Sequence, residues 1–283
     1  MALTINTNLS SLIVQKNLNS ATTSLNNAIE RMTTGYKINH AKDNAAGYSI
    51  AKNWETKLGS LDVASENASM GADLLKTAEE NYSLITEHLQ RVRDLTEQAA
   101  NGTYGADSLE AIKSEMTARL AEIDRIAANA EFNGIALCNG AGKAINLQVG
   151  IDGTAAKSQI TLEANLFSAA DSKTLLDDGE ITAFVNAAGA TATAAGKLTK
   201  IDAAINKISA RVTSIGSAQN RVESAISSIA VQSENLTSSL STIKDADVAS
   251  ESSSYIKAQI LQQASATLLA TANQAPSIAL NLI

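Results

Sequence analysis

The sequence predicts a mainly α protein, with long antiparallel coiled-coil rods built from paired N- and C-terminal helices and a small β-hairpin region between them. Three observations carry this. A heptad-like run fills the second half, a matching run fills much of the first, and a single proline, Pro276, leaves nearly all 283 residues free of helix breakers. Aromatic residues make up only 3% of the chain, too few for a conventionally packed large core, and long paired helices need fewest of them.

Taken in order, the first element is an amphipathic helix whose seam is Val14, Leu18, Ala21, Leu25, Ala28 and Met32, at alternating three- and four-residue steps. Among the first 29 residues only Lys16 is ionisable, and Ala258 to Ile283 contains no ionisable side chain at all. Asn, Ser, Thr and Gln fill the remaining faces, where a solvated helix normally carries Lys and Glu. Both terminal helices are therefore expected to be buried against partners on more than one face.

A first rod follows the seam Leu61, Ala64, Ala68, Gly71, Leu75, Ala78, Tyr82, Ile85, Leu89 and Val92 until Asn101-Gly102 and Gly105 interrupt it. A third helix spans about Ser108 to Ala128, with Leu109, Ile112, Met116, Leu120 and Ile123 inward. Asn133-Gly134 and Asn139-Gly140 mark turns, and the alternating segments Ile145 to Val149 and Gln159 to Leu162 read as a β-hairpin, the one sheet expected. From Ser168 to Gly196 the chain is rich in Ala, Thr and Gly, with apolar clusters at Leu175-Leu176 and at Ile181, Phe184 and Val185, and is expected to be an outward-facing connection. The second rod is the most regular segment: Ile201, Ile205, Ile208, Val212, Ile215, Gln219, Val222, Ile226, Ile229, Ser233, Leu236, Leu240 and Ile243 alternate by four and three. At 1.5 Å per residue it would extend roughly 60 Å.

Composition narrows the function. A net charge of −7 with no Lys/Arg run argues against nucleic acid and anionic membranes as partners, and no stretch approaches the length of a membrane span. No basic segment followed by an apolar stretch opens the chain, so cleaved secretion is not expected. Cys138 stands alone and offers no intrachain disulfide. His40 and His88 have no Cys, Asp or Glu at metal-ligand spacing, and Gly140-Ala141-Gly142-Lys143 lacks both the glycine spacing of a phosphate loop and the Ser or Thr that should follow its lysine. Neither a catalytic grouping nor a cofactor site is expected, and the protein is read as no enzyme.

Several segments carry a specific resemblance. They are Ile5-Asn6-Thr7-Asn8, Thr34-Gly35-Tyr36-Lys37-Ile38-Asn39 running into Ala41 to Gly47, Leu89-Gln90-Arg91-Val92-Arg93-Asp94-Leu95, Phe132-Asn133-Gly134, Gln219-Asn220-Arg221, and Ala258 to Ala264 leading to Ala272-Asn273-Gln274. In these the chain resembles bacterial flagellin, over about Met1 to Gly150 and Leu198 to Ile283.

The resemblance implies a filament subunit of the extracellular flagellum. It implies an inner-core domain from residues 1–44 and 244–283, an outer-core domain from residues 45–167 and 198–243, and a short variable connection at 168–197, too small for a large outer domain. It implies a helical homopolymer that serves motility, exported unfolded by the flagellar export apparatus with an export chaperone and polymerised at the distal tip beside filament cap and junction proteins. Assembly contacts are expected at Leu9, Leu12, Leu18, Leu25, Ile256, Ile260, Leu268 and Leu269. By the same resemblance, recognition by a host Toll-like receptor would centre on Arg91, Leu95 and Glu115.

Two other readings stand beside this one. A hook-filament junction protein shares the terminal helices, although the hairpin and the Arg91 helix favour flagellin. A soluble coiled-coil scaffold should carry charged flanks along its seam and charged ends, which these termini lack.

Overall fold

The computed structural model describes residues 8–140, 143–177, 185–187 and 191–280. Its helices are α1 (Leu9–Thr34), α2 (Ala45–Ala100), α3 (Ala106–Asn129), α4 (Ala155–Ser158), α5 (Ser172–Leu176), α6 (Thr191–Lys244) and α7 (Val248–Leu280). The strands are β1 (Glu131–Phe132), β2 (Ile135–Ala136), β3 (Ile145–Gln148) and β4 (Gln159–Leu162). Two compact units result, Met1–Leu58 with Glu234–Ile283 and Gly59–Ser233, and α2 and α6 contribute to both. The expected fold class holds: the molecule is mainly helical, its long helices pair antiparallel, and its sheets are small.

In the first unit α1 pairs with α7. Asn8 caps α1 by accepting a hydrogen bond from the Ser11 N–H (3.0 Å), and Gly35 ends it in the left-handed region at φ 74°, its N–H donating to Arg31 O. The predicted seam faces α7 from Val14 to Ala28, with Ala21 and Ala28 buried, Val14, Leu18 and Leu25 half-buried, and Ala258 and Ser265 buried from the other side, while its last member, Met32, is exposed. Antiparallel register is fixed by Asn8 Nδ2 to Ala272 O (2.7 Å), Ser11 Oγ to Asn273 Oδ1 (2.8 Å), Gln262 Nε2 to Thr22 Oγ1 (3.2 Å) and the Arg31–Glu251 ion pair (3.2 Å).

The Thr34–Gly47 segment has a physical role at each residue type. Past Gly35, the Lys37 N–H donates to Lys244 O (2.7 Å) and the Ala246 N–H to Gly35 O (2.8 Å), a short bridge that ties the link to the end of α6. Asp43 Oδ2 accepts from the N–H groups of Asn39 and His40, and these contacts hold its carboxyl below the usual aspartate value. Asn44 Oδ1 accepts the Gly47 N–H at the start of α2. Gly47 packs closely here: a Cβ would lie 2.8 Å from the tip of buried Ile38, which would have to shift to admit it.

In the second unit α2 and α6 run antiparallel, joined at Glu79–Gln219 and Arg93–Asp202, with α3 alongside α2. Ile201, Ile208, Ile215 and Val222 are fully buried in one continuous core with Leu75, Tyr82, Ile85, Leu89, Met116, Leu120 and Ile123. Ile205, Val212 and Ile226, the alternate members of the α6 seam, are only partly buried, so the stripe is a flank as well as a core face.

Three details differ from the sequence expectations. Besides the expected β3–β4 hairpin, β1 and β2 form a second, minimal one around Asn133 (φ 48°) and Gly134 (φ 77°), an Asn-Gly turn whose flanking strands are only two residues each. Gly71 receives the hairpin: a Cβ there would clash with the Leu147 side chain of β3, so the small-residue stretch of the α2 seam makes room for a strand. Over its described residues the connection after β4 is tucked in rather than outward-facing, since Phe167, Ala170, Leu175, Leu176 and Val185 are all buried, and Asp124 of α3 accepts from both the N–H and the hydroxyl of Ser172. Ile181 and Phe184 of the predicted apolar cluster lie outside the described residues, as do Ile5-Asn6-Thr7 and residues 281–283.

Candidate functional site

The first candidate surface is the outside of the α1–α7 pair. Of the expected assembly residues, Leu9, Leu12, Ile256, Ile260 and Leu268 are between 54% and 68% exposed. Leu18, Leu25 and Leu269 are half-buried along the pair. Sequence reasoning did not single out Ile13, Ile29, Val248 and Leu261, which are exposed as well. The signal was available in Ile13, four residues after Leu9 on one face of α1. Isolated exposed aliphatics are ordinary, but nine on one helix pair without a charge between Ala258 and Gln274 form a surface that water does not favour.

The second candidate surface lies on α2 and α3. Arg91 Nε and Nη2 donate to the two Glu115 oxygens at 2.8 and 3.1 Å, a bidentate pair, and Arg119 stands 3.7 Å from the same carboxylate. The Arg91 hydrogen bond holds the Glu115 carboxyl below its usual value, and Glu115 in turn raises that of Arg91. Leu95 shares the helix face expected from its spacing but is only 1% exposed and belongs to the core. The structure thus brings Arg91 and Glu115 together at the surface, with Leu95 packed below. Arg119, one turn after Glu115, is the member of this cluster that the sequence reading passed over.

Within the second unit a buried knot joins α2, α6 and the segment after β4. The Tyr82 hydroxyl donates to Leu166 O (2.9 Å), with the carbonyls of Ser168 and Leu137 also within 3.3 Å. Arg211 Nη1 donates to Ala169 O (2.9 Å) and Ser168 O (3.2 Å), and its guanidinium lies 5.8 Å from the Tyr82 ring. Burial pushes the neighbouring Cys138 thiol up to about 11 and raises Tyr82 as well. Among the described residues no group of His, Cys, Asp and Glu could hold a metal ion, and no helix is long and apolar enough to cross a membrane.

Long paired helices whose terminal pair is apolar and charge-poor define a class of helical subunit suited to self-association. Comparison with known proteins specifies the class. The family model for the bacterial flagellin N-terminal helical region matches residues 5–143, and that for the C-terminal helical region matches residues 198–283. A flagellin of Xenorhabdus nematophila is 37% identical over 317 aligned positions that cover all of both chains. A flagellin of Escherichia coli (strain K12) is 39% identical over 208 positions, covering 71% of this chain and 41% of that protein. A solved structure described as a flagellar hook-associated protein of Vibrio parahaemolyticus shares the fold, with a TM-score of 0.60 over 72% of this chain and 100% of that one, at 14% identity. The chain belongs to the bacterial flagellins: it is a structural, non-enzymatic subunit of the extracellular flagellar filament, which it forms by polymerising.

Proposed function

We propose that the α1–α7 pair is the inner-core domain and the principal assembly element, and that the rods and hairpins form the outer-core domain, divided as 1–44 with 244–283 and 45–167 with 198–243. The observation that carries this is the exposed aliphatic surface at Leu9, Leu12, Ile256, Ile260 and Leu268, with half-buried Leu18, Leu25 and Leu269 beside it. Burying a large aliphatic side chain on docking contributes about 1.5–3 kcal/mol, so a handful of such residues drives association. Replacing Leu9 and Leu12 together with Ser should abolish incorporation into seeded filaments, read by sedimentation, with the far-ultraviolet circular dichroism of the rods retained. Wild-type incorporation of that variant would overturn the assignment.

The family resemblance supports further partners: the flagellar export apparatus, an export chaperone, and the filament cap and junction proteins, with the chain exported unfolded and added at the distal tip. A net charge of −7 supports neither nucleic acid nor membrane insertion as part of this role. On the second surface, the Arg91–Glu115 pair presents the chemistry of a host Toll-like receptor site, with Leu95 setting its backing from the core.

A further inference from the structure

We propose that Asn101, at the corner between α2 and α3, is a self-modification site, which loses its side-chain amide as ammonia through a cyclic imide closed with Gly102 and is then hydrolysed to aspartate or isoaspartate. The chain has three Asn-Gly pairs, Asn101-Gly102, Asn133-Gly134 and Asn139-Gly140. In each the glycine puts no Cβ beside the backbone nitrogen that must approach the asparagine side chain. All three asparagines are exposed, so access to water does not choose between them and the backbone around each one does.

Two of the pairs are clamped. Asn133 and Gly134 form the turn of the β1–β2 hairpin, both at positive φ, with Phe132 paired to Ile135 across it. Asn139 follows buried Cys138, whose carbonyl accepts the Ala170 N–H (2.8 Å), and Gly140 at φ 80° packs so closely on Ala169 that a Cβ would lie 2.9 Å from it. Closing the imide requires the asparagine to rotate until its own Cγ faces the next nitrogen, and such turns resist that rotation. The Asn101 corner is open by comparison. Gly102 is not at positive φ, and a Cβ built on it would meet nothing within 4 Å.

The corner also activates the amide. The Thr103 N–H donates to Asn101 Oδ1 (3.2 Å), which polarises the Cγ carbonyl and stabilises the negative charge that gathers on this oxygen during attack. The Gly102 nitrogen gives its proton to water and bonds to Cγ; the Cγ–Nδ2 bond then breaks and the nitrogen leaves as ammonia. Water opens the ring at Cγ to give aspartate, or at the backbone carbonyl carbon to give isoaspartate, and no oxidant or reductant is consumed. Either product places a carboxylate just beyond the end of α2, one turn after Glu97, where the helix dipole disfavours negative charge. Isoaspartate also lengthens the backbone of the corner by one carbon.

The test is incubation of the full-length chain at mildly alkaline pH, native and in parallel unfolded in urea, followed by digestion and mass spectrometry with fragmentation to assign each amide-to-acid change. In urea the three asparagines should convert at comparable rates. In the native chain Asn101 should convert well ahead of Asn133 and Asn139, with isoaspartate confirmed by enzymatic methylation. Native conversion of Asn133 or Asn139 as fast as Asn101, or an Asn101 that stays intact in the native chain while it converts in urea, would overturn the proposal. Gly102→Ala, at a position with room for the added methyl group, should slow conversion of Asn101 about tenfold, equivalent to about 1.4 kcal/mol of barrier, with circular dichroism unchanged. An unchanged rate in that variant would overturn the route through Gly102, and the three-site comparison stands whether or not the variant folds.

Discussion

Single side chains set the register of this molecule where two elements meet closely. At Gly71 the strand residue Leu147 occupies the space a Cβ would take. Gly71→Ala is expected to cost about 1–3 kcal/mol of stability in denaturant titration, and Leu147→Ala in the same chain should recover part of that loss. A pair of purely additive losses would show that the contact is not specific. Cys138 is a second residue-scale reporter. Its thiol is raised by burial from 9.0 to about 11, so the unfolded chain loses its proton first as pH rises. Stability should be complete below pH 9.0 and fall through about 11, a loss of about 2–3 kcal/mol that Cys138→Ala would remove. Thiol reagents should modify Cys138 only upon unfolding; rapid labelling of the native protein would contradict its burial.

At the scale of elements, the joint following α1 is held by charge as well as by backbone pairing. Glu55 accepts from Lys244 and from Lys52 (2.7 Å), and the Lys244 ammonium lies 4.1 Å from the Tyr36 ring centre. The hydrogen bond from Lys244, then that from Lys52, holds the Glu55 carboxyl below its usual value; Asp43, Glu115 and Glu122 are lowered too. Lowered carboxylates give stability that is present above the unfolded carboxylate range and is lost as pH falls through the folded values. Melting temperature should therefore drop between about pH 5 and about pH 3, and Glu55→Gln should make that drop smaller. An unchanged acid limb in Glu55→Gln would show that the joint is not electrostatically held.

Periodicity made the long elements legible because a helix that buries one stripe writes it every three or four residues; the α1 seam and the α6 seam are both found where the spacing places them. The β1–β2 hairpin was not legible, since two-residue strands are too short to show alternation, and only the Asn133-Gly134 turn survives in the sequence. Nor was the inward path of residues 168–177, whose burial depends on Asp124 and Arg211, far away along the chain. On the candidate surfaces, spacing placed Arg91 and Leu95 on one helix face but could not tell that Leu95 would be covered. Pairing with Glu115 came from the family resemblance, and the geometry supplies a bidentate contact for it. Arg91→Ala is expected to weaken receptor activation by the monomer while leaving the core intact, measured in a reporter-cell assay beside circular dichroism; undiminished activation would remove this surface from the account.

For the whole molecule, the charge-poor ends, the exposed aliphatics and membership of the flagellins support the proposal that the terminal helices complete their burial against other copies. A lone pair of such helices gains little from its own contact, since helix formation depends on packing more than on propensity. The most direct measurement is electron microscopy and sedimentation of the purified chain after adding filament seeds, beside a truncation lacking Met1 to Met32 and Ala258 to Ile283. The account predicts long filaments from the intact chain and none from the truncated one; equal elongation by both would contradict it.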